Sequence, residues 1–310
     1  MVVTHGFPPG RPGARRGWAV TIGNFDGVHR GHRALIDRIN ARARQLDIGS
    51  CVLTFEPHPR EYFAARATAA APARITRLRD KLQLLDAAGV ERVHVARFDA
   101  RLASLSADAF IEDVLVRGLG TRHLAIGRDF RFGKGRAGDF DALQAAGARH
   151  GFGVEALEDV LLDGERVSSS AVRAALAAGD LRHVERLLGH PYRITGRVAH
   201  GAKLGRTLGF PTANIPLRRA PPLAGIFAVD AEGYGRGVAS VGLRPTVNPV
   251  PTPLLEVHFF RCERELYGER LTVRFLQKLR DEEKYDGLKA LQAAIADDVR
   301  RAQEYFEAHG

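Results

Sequence analysis

From Trp18 to about Leu188, short apolar runs alternate with stretches in which apolar residues recur every three or four positions. The runs "WAVTIG", "SCVLTF", "VERVHVARF", "HLAIG" and "FGVEAL" read as strands, several of them apolar on both faces. Between them, "GHRALIDRINARARQ", "TRLRDKLQLLDAAG", "SADAFIEDVLVRGL" and "DALQAAGARHG" read as helices. Leu78, Leu82 and Leu85 keep helical spacing up to a stop at Gly89, and Ser106 is placed to cap the third helix. This rhythm predicts a parallel sheet covered by helices. Ligands of such sheets bind beyond the carboxyl ends of the strands. The turns "GNFDG", "FEPHP" and "GRDFRFG" fall there.

After "RLLGHPY" the texture changes. "YRITGRVAHG", "GIFAVDAEGYGRGVASVGL", "PLLEVHFF" and "ERLTVRFL" are short, turn-punctuated and rich in β-formers. They predict an antiparallel sheet or small barrel. One amphipathic helix closes the chain, with Leu288, Leu291, Ile295, Val299, Ala302 and Phe306 at steps of three and four. The domain boundary is placed near residue 188, giving domains 1–188 and 189–310. The Gly/Pro-rich start "MVVTHGFPPGRPGARRGWAV" reads as irregular and mobile.

Composition changes this picture little. The 310 residues are 45% hydrophobic and 26% charged, ordinary for a globular chain of two domains. The formal charge of +10 is spread without a polybasic block. With 7% aromatic residues and one Trp there is no array of stacking aromatics, so no nucleic-acid partner is expected. The surplus suits small anions such as nucleotides. Cys51 and Cys262 lie far apart and in no metal-ligand spacing, as expected of a reduced cytoplasmic protein. No signal peptide and no membrane span is expected. Self-association is left open.

The chemistry concentrates in "TIGNFDGVHRGHRALI". Gly23, Gly27 and Gly31 allow close approach of the backbone to a ligand, with Asn24, Phe25 and Asp26 between them. His29 and His32 share one face at the start of a helix, where free N–H groups and the dipole favour anions. Imidazoles there can stabilise charge on an α-phosphate under attack. A zinc site would need further ligands nearby. The chain contains no G-K-[ST], so a nucleotide would be held without a P-loop. In "RVSSSAVR", Ser169 and Ser170 at a helix start, with Arg166 and Arg173, form a second candidate phosphate element. Alone it would be an ordinary capped helix.

In the second half, "GRTLGFPTAN" puts Thr212 and Asn214 on one face of an extended segment. Their oxygens suit Mg²⁺ carrying nucleotide phosphates, and Lys203 and Arg206 suit the phosphates themselves. A β-bend with a buried Thr and Asn fits the same pattern. In "LLEVHFF", Glu256 and His258 alternate against Leu255, Val257 and Phe259. Glu256 is a candidate general base, or a solvent-facing residue of an edge strand. His258 reads as structural.

"GNFDGVHRGH" with "VSSSAVR" resembles the HxGH nucleotidyltransferase superfamily, in its flavin-adenylylating branch. "TFEPHPREYF" and "GRDFRFGKGRAGD" resemble that branch too. "LGRTLGFPTANI", "GLRPTV", "LEVHFF" and "LYG" resemble the flavokinase module. Their order is similar to that of the bacterial bifunctional riboflavin kinase/FAD synthetases. The resemblance implies a Rossmann-like domain followed by a β-barrel, and two reactions. ATP and riboflavin give FMN in the second domain, and a second ATP and FMN give FAD and pyrophosphate in the first, both with Mg²⁺. It implies nucleotide and Mg²⁺ contact at Thr212 and Asn214, and the base at Glu256. It also suggests a flavin pocket at Phe55, Pro57, Asp129 and Phe130. The chain departs from the pattern at Ser170, usually Thr, at Ser240, usually Asn, and at "RCERE" from Arg261. A first domain that only binds nucleotide, and a transferase for another alcohol phosphate, are the alternatives. The intact His29, His32 and Ser169 oppose the former, and the kinase-like second half opposes the latter.

Overall fold

The computed structural model describes residues 1–7, 17–67, 69–200, 209–244, 252–262 and 264–309. It divides into two compact units, one of residues 1–72 with 81–167 and one of residues 73–80 with 168–310.

In the first unit, six strands among the described residues form one parallel sheet in the order β1-β4-β3-β2-β5-β6. They are β1 (Val2–His5), β2 (Trp18–Ile22), β3 (Gly49–Glu56), β4 (Arg92–Arg97), β5 (Thr121–Gly127) and β6 (Gly153–Leu157). Val20, Leu53, Leu124 and Ile126 of its centre are sealed and join one core cluster with Val114, Leu115 and Leu143. Helices α1 (Arg30–Leu46), α2 (Pro59–Ala67), α3 (Leu78–Ala87), α4 (Ala100–Ser104), α5 (Ala107–Phe110) and α6 (Phe140–His150) follow in chain order. Ser106 caps α5, its Oγ accepting from Ala109 N–H at 3.1 Å. From Ile111 to Leu119 the turns widen to π geometry.

Strand order runs one way from β2 through β3 to β4, and the other way through β5 to β6. The crevice of this sheet therefore opens where β2 and β5 end side by side. "GNFDG" leaves β2 there and "GRDFRFG" leaves β5 there.

Two expectations need correction. Residues 2–5 are not irregular: Val2–His5 form an edge strand paired in parallel with β4. Four residues, two of them Val, are too few to carry a periodicity, and the pairing comes from the distant β4. The "FEPHP" turn also does not remain a loop, because Pro59 starts α2, where its fixed φ suits a first helical turn.

In the second unit, α7 (Ser169–Ala178) and α8 (Leu181–Leu188) precede a six-stranded antiparallel sheet, again among the described residues. Its strands are β9 (Arg193–Arg197), β10 (Ala213–Pro216), β11 (Gly225–Ala231), β12 (Gly235–Arg244), β13 (Thr252–Phe259) and β14 (Arg270–Arg280). They run β10-β13-β12-β11-β14-β9. The sheet nearly closes on itself, since Ala199 N–H donates to Asn214 O at 2.8 Å just beyond β9. (The two-residue strands β7 and β8 form a separate hairpin at Leu161–Leu162 and Glu165–Arg166.)

Phe227, Val229, Leu255, Val257 and Phe275 fill the barrel. On its outer face Ile226, Ala228 and Val238 meet Ala302 and Phe306 of α9 (Leu288–His309). Alternation along β11 thus serves both layers. The apolar stripe of α9 is buried only toward its end, and Leu288 stays 57% exposed.

Candidate active sites

The first site grows out of the end of β2. Gly23 N–H donates to Leu53 O at 3.1 Å, and the chain then turns back sharply. Phe25 (φ 48°) and Val28 (φ 44°) both adopt left-handed backbone. That conformation is costly for a β-branched residue. Complete burial of both side chains holds it. Thr54 Oγ1 donates to Asn24 O at 3.2 Å, and Asp26 is buried. A Cβ at Gly23 would stand 3.2 Å from the Phe25 ring, and one at Gly31 would stand 3.2 Å from His29 Nδ1.

His29 caps α1. Its Nδ1 accepts from His32 N–H at 3.3 Å, so a neutral His29 carries its proton on Nε2. The two imidazoles stack with centroids 3.6 Å apart, and Phe25 lies 4.9 Å from the His32 ring. Burial, then the neighbouring His29, then Lys81, push His32 well below its ordinary pKa. His32 Nδ1 is sealed without a hydrogen-bond partner among the described residues. Nε2 is then the nitrogen that can meet a ligand. The result is two stacked imidazoles at a helix N-terminus, where an anion can bind.

Sequence reasoning missed three residues beside this turn. His58, Glu61 and Lys81 are all buried, Lys81 completely. Lys81 Nζ lies 3.1 Å from His58 Nε2, and His58 N–H donates to Glu61 Oε2 at 3.3 Å. Periodicity carries no signal for them, because a Lys in a helix and a His in a turn read as solvent-facing.

Of the other expected residues, Arg166 holds two carboxylates, Asp129 at 2.8 Å and Asp159 at 2.9 Å. The Arg expected to meet phosphate and the Asp expected to meet flavin are thus joined to each other. Phe130 stacks on Phe132 with centroids 5.7 Å apart. Phe55 is buried with its ring edge-on to Phe98, and Pro57 follows Glu56 across a cis peptide bond. Tyr62 and Phe63 complete this aromatic group, and Phe63 is its exposed member at 53%.

The serine element belongs to the second unit. Ser168 makes the cap, its Oγ accepting from Ala171 N–H at 3.1 Å. Ser169 is half-buried and Ser170 exposed. Arg173 Nε donates to Ala73 O at 2.7 Å and its Nη1 to Ser169 O at 3.2 Å.

The second site lies on the outer face of the barrel. Ser240 of β12, Glu256 of β13 and Asn214 of β10 stand directly opposite one another across the ladder. Opposed residues share a face, so the three form one polar row. Leu255, Val257 and Phe259 are buried and Glu256 points the other way, as alternation requires. Asn214 Nδ2 donates to Thr212 O at 3.3 Å. Its Oδ1 is buried without a hydrogen-bond partner among the described residues. An orphaned amide oxygen beside a carboxylate is a donor set that fits Mg²⁺. His258 Nδ1–H donates to Pro211 O at 3.0 Å. Lys203 and Arg206 lie outside the described residues.

Comparison with known proteins covers both halves of the chain. Residues 12–171 match the family model described as FAD synthetase, and residues 188–306 match the one described as riboflavin kinase. A bifunctional riboflavin kinase/FMN adenylyltransferase of Pseudomonas fluorescens is 50% identical, over 98% of this chain and 97% of its own. The chain belongs to the bifunctional riboflavin kinase/FMN adenylyltransferase family.

Another member, from Escherichia coli (strain K12), is 48% identical over 94% of each chain. A solved structure titled as a macrolide-efflux protein from Streptococcus pneumoniae matches with a TM-score of 0.80 and 27% identity, over 97% of this chain and 99% of its own. That title describes that protein. Among the described residues of this family member, no helix is long and apolar enough to cross a membrane.

Proposed function

We propose that His29 and His32 carry the adenylyl transfer, and Glu256 the phosphorylation, of an enzyme that converts riboflavin to FMN and FMN to FAD. The domains are 1–188 for adenylyl transfer and 189–310 for the kinase, which the family matches to residues 12–171 and 188–306 support. ATP is the donor in both reactions, and Mg²⁺ is typical of these enzymes.

In the kinase reaction, Glu256 takes the proton of the terminal ribityl hydroxyl as its oxygen attacks the γ-phosphorus, and ADP leaves. Bound Mg²⁺ neutralises phosphate charge, and Asn214 Oδ1 and Thr212 are the groups that would hold it. In the adenylyl reaction, an FMN phosphate oxygen attacks the α-phosphorus and pyrophosphate leaves. His29 Nε2–H and the helix N-terminus stabilise the charge that builds on the phosphate oxygens. Gly23, Asn24, Phe25, Asp26 and Gly31 shape that turn. Arg166, Ser169, Ser170 and Arg173 are further candidates for phosphate contact, and Lys203 and Arg206 are candidates for the nucleotide phosphates of the kinase reaction. Phe55, Pro57, Asp129 and Phe130 meet the flavin, with Phe63 as the exposed ring of their aromatic neighbourhood. The enzyme works in the cytoplasm, without nucleic acid or membrane, and whether it self-associates is open to a sedimentation measurement.

The observation that carries the reading is the His29–His32 stack at the N-terminus of α1. The test is chromatography of the products formed from riboflavin, ATP and Mg²⁺. Wild type makes FMN and then FAD. Glu256→Ala makes no FMN yet converts supplied FMN to FAD, and His29→Ala/His32→Ala stops at FMN. A His double variant that still makes FAD at the wild-type rate would remove the assignment.

A further inference from the structure

Glycine at 242 leaves room on β12 that another residue fills. The Glu282 carboxylate, from the link between β14 and α9, lies where a Cβ at 242 would stand. Register fixes the face it lies on. Ser240 is opposite Glu256 and Gly242 is opposite Leu254, while Val241 and Leu255 between them are buried in the barrel. Residues two apart on a strand share a face. Glu282 therefore rests on the face that carries Ser240, Glu256 and Asn214. Arg280, the last residue of β14, leads the chain there and turns its own guanidinium to Asp298.

This face is rich in acceptors. Asn214 is 7% exposed, and its Oδ1 has no partner among the described residues. Glu256 and Glu282 add two carboxylates. Such a set calls for a ligand that donates or is cationic, a metal ion or a polyhydroxyl chain. Distance decides between them at Glu282. β13 lies between β12 and β10, and strands are about 4.8 Å apart, so Glu282 stands roughly 10 Å from the strand of Asn214. Oxygens about 2.1 Å from one Mg²⁺ lie within about 4.2 Å of each other. Side chains stand up from a sheet rather than along it, so Asn214 and Glu282 do not share an ion.

Glu256 lies between them, diagonal to Gly242 at about 7–8 Å along the sheet. A ligand that meets Glu256 and Glu282 together must be extended and carry donors along its length. The ribityl chain of riboflavin, with hydroxyls on successive carbons, has that form.

We propose that Glu282 is a specificity-determining residue of the kinase site. Its carboxylate accepts hydrogen bonds from inner hydroxyls of the ribityl chain while Glu256 meets the terminal one. Gly242 is the residue that lets this carboxylate lie against the strand. The proposal rests on the reading of Glu256 as the kinase base.

The test compares kcat/KM for phosphorylation of riboflavin and of its 2′-, 3′- and 4′-deoxy analogues by the full chain. Wild type is expected to prefer riboflavin over at least one analogue by about tenfold or more, the size of a lost hydrogen bond to a charged group. Glu282→Ala accepts that analogue and riboflavin within about threefold of each other, because the group that told them apart is gone. Gly242→Ala does the same by pushing the carboxylate off the strand. Asp281→Ala, which removes an exposed neighbouring carboxylate, keeps the wild-type preference. A wild type that phosphorylates all the analogues as well as riboflavin overturns the proposal, and needs no variant to fold. An unchanged preference in Glu282→Ala overturns it too, and that side chain is exposed, so its loss leaves the fold intact. Glu256→Ala that phosphorylates riboflavin at the wild-type rate removes the base assignment and this proposal with it. An inactive Glu256→Ala beside an unchanged preference in Glu282→Ala removes the role of Glu282 alone.

Discussion

The Glu282 carboxylate rests on the α-carbon of Gly242, where a Cβ would overlap both of its oxygens. Gly242 lies two residues along β12 from Ser240, the residue opposite Glu256. Loss of water around Glu282, and then the charge of Glu256, raise the Glu282 pKa, while Arg280 opposes them. Two carboxylates therefore sense each other across the proposed kinase site. Glu256→Gln is expected to move the Glu282 titration down toward the ordinary glutamate value. A ¹³C titration of the side-chain carboxyls reads this, and an unmoved Glu282 would show that the two groups are uncoupled.

Asn214 offers a metal test confined to one reaction. Its orphaned Oδ1 is the buried oxygen of the polar row. Losing even a partner one bond removed from a metal costs about tenfold in affinity or more. Asn214→Ala should raise the Mg²⁺ concentration that half-saturates riboflavin phosphorylation by at least about that factor. The Mg²⁺ requirement of FMN adenylylation, measured on the same preparation, should stay within twofold.

His32 makes the first domain sensitive to acid. Its folded pKa lies well below 6.5, through burial, His29 and Lys81 in that order. The unfolded chain binds this proton near pH 6.5 and the folded chain does not. Stability is thus complete above that pH and declines as pH falls below it, by at most about 1.4 kcal/mol per pH unit from this group. Trp18, the single tryptophan, sits buried in β2 and reports on this domain. Its thermal fluorescence transition should fall from about pH 7.5 to about pH 5.5. The fall should be shallower in His32→Gln. His94, lowered chiefly by burial, keeps part of the slope.

A buried ion pair fastens the final helix. Arg280 at the end of β14 grips Asp298 of α9 through Nε at 2.7 Å and Nη2 at 2.6 Å. Asp298 is 2% exposed. Removing one partner of such a pair leaves the other charge buried, at a cost of about 3 kcal/mol. Asp298→Ala should lower the urea midpoint of the far-ultraviolet transition accordingly. A change under about 0.5 kcal/mol would mean that the helix is held by its other contacts, the apolar packing of Ala302 and Phe306 and the Arg301 hydrogen bond to Leu279 O among them.

What the chain announces in advance follows from period and punctuation. β2, β3 and β5 are apolar runs, and Ser106, Gly89 and the histidine turn stand where their chemistry demands. The row of Glu256 and Asn214 was half visible, since alternation gives the face of each residue but not which strands pair. Val2–His5 was illegible because an edge strand takes its register from β4, ninety residues away. His58 and Lys81 were illegible for a different reason. They are polar groups whose burial depends on finding each other, and no single segment encodes a meeting. The pairing of Arg166 with Asp129 was hidden in the same way.

Residues 73–80 count with the second unit although the chain then returns to the first for 81–167. Arg77 Nη1 donates to Thr195 O at 3.1 Å, and Arg173 donates to Ala73 O. The polypeptide thus changes unit three times rather than once. No single scission separates two intact halves. A fragment beginning at 189 leaves Thr195 O without its arginine, and one ending at 188 keeps Arg77 without Thr195 O. Splitting the gene at the boundary between the family models would therefore cut through a shared clasp. Two autonomous half-enzymes would require residues 73–80 to be supplied again to the second.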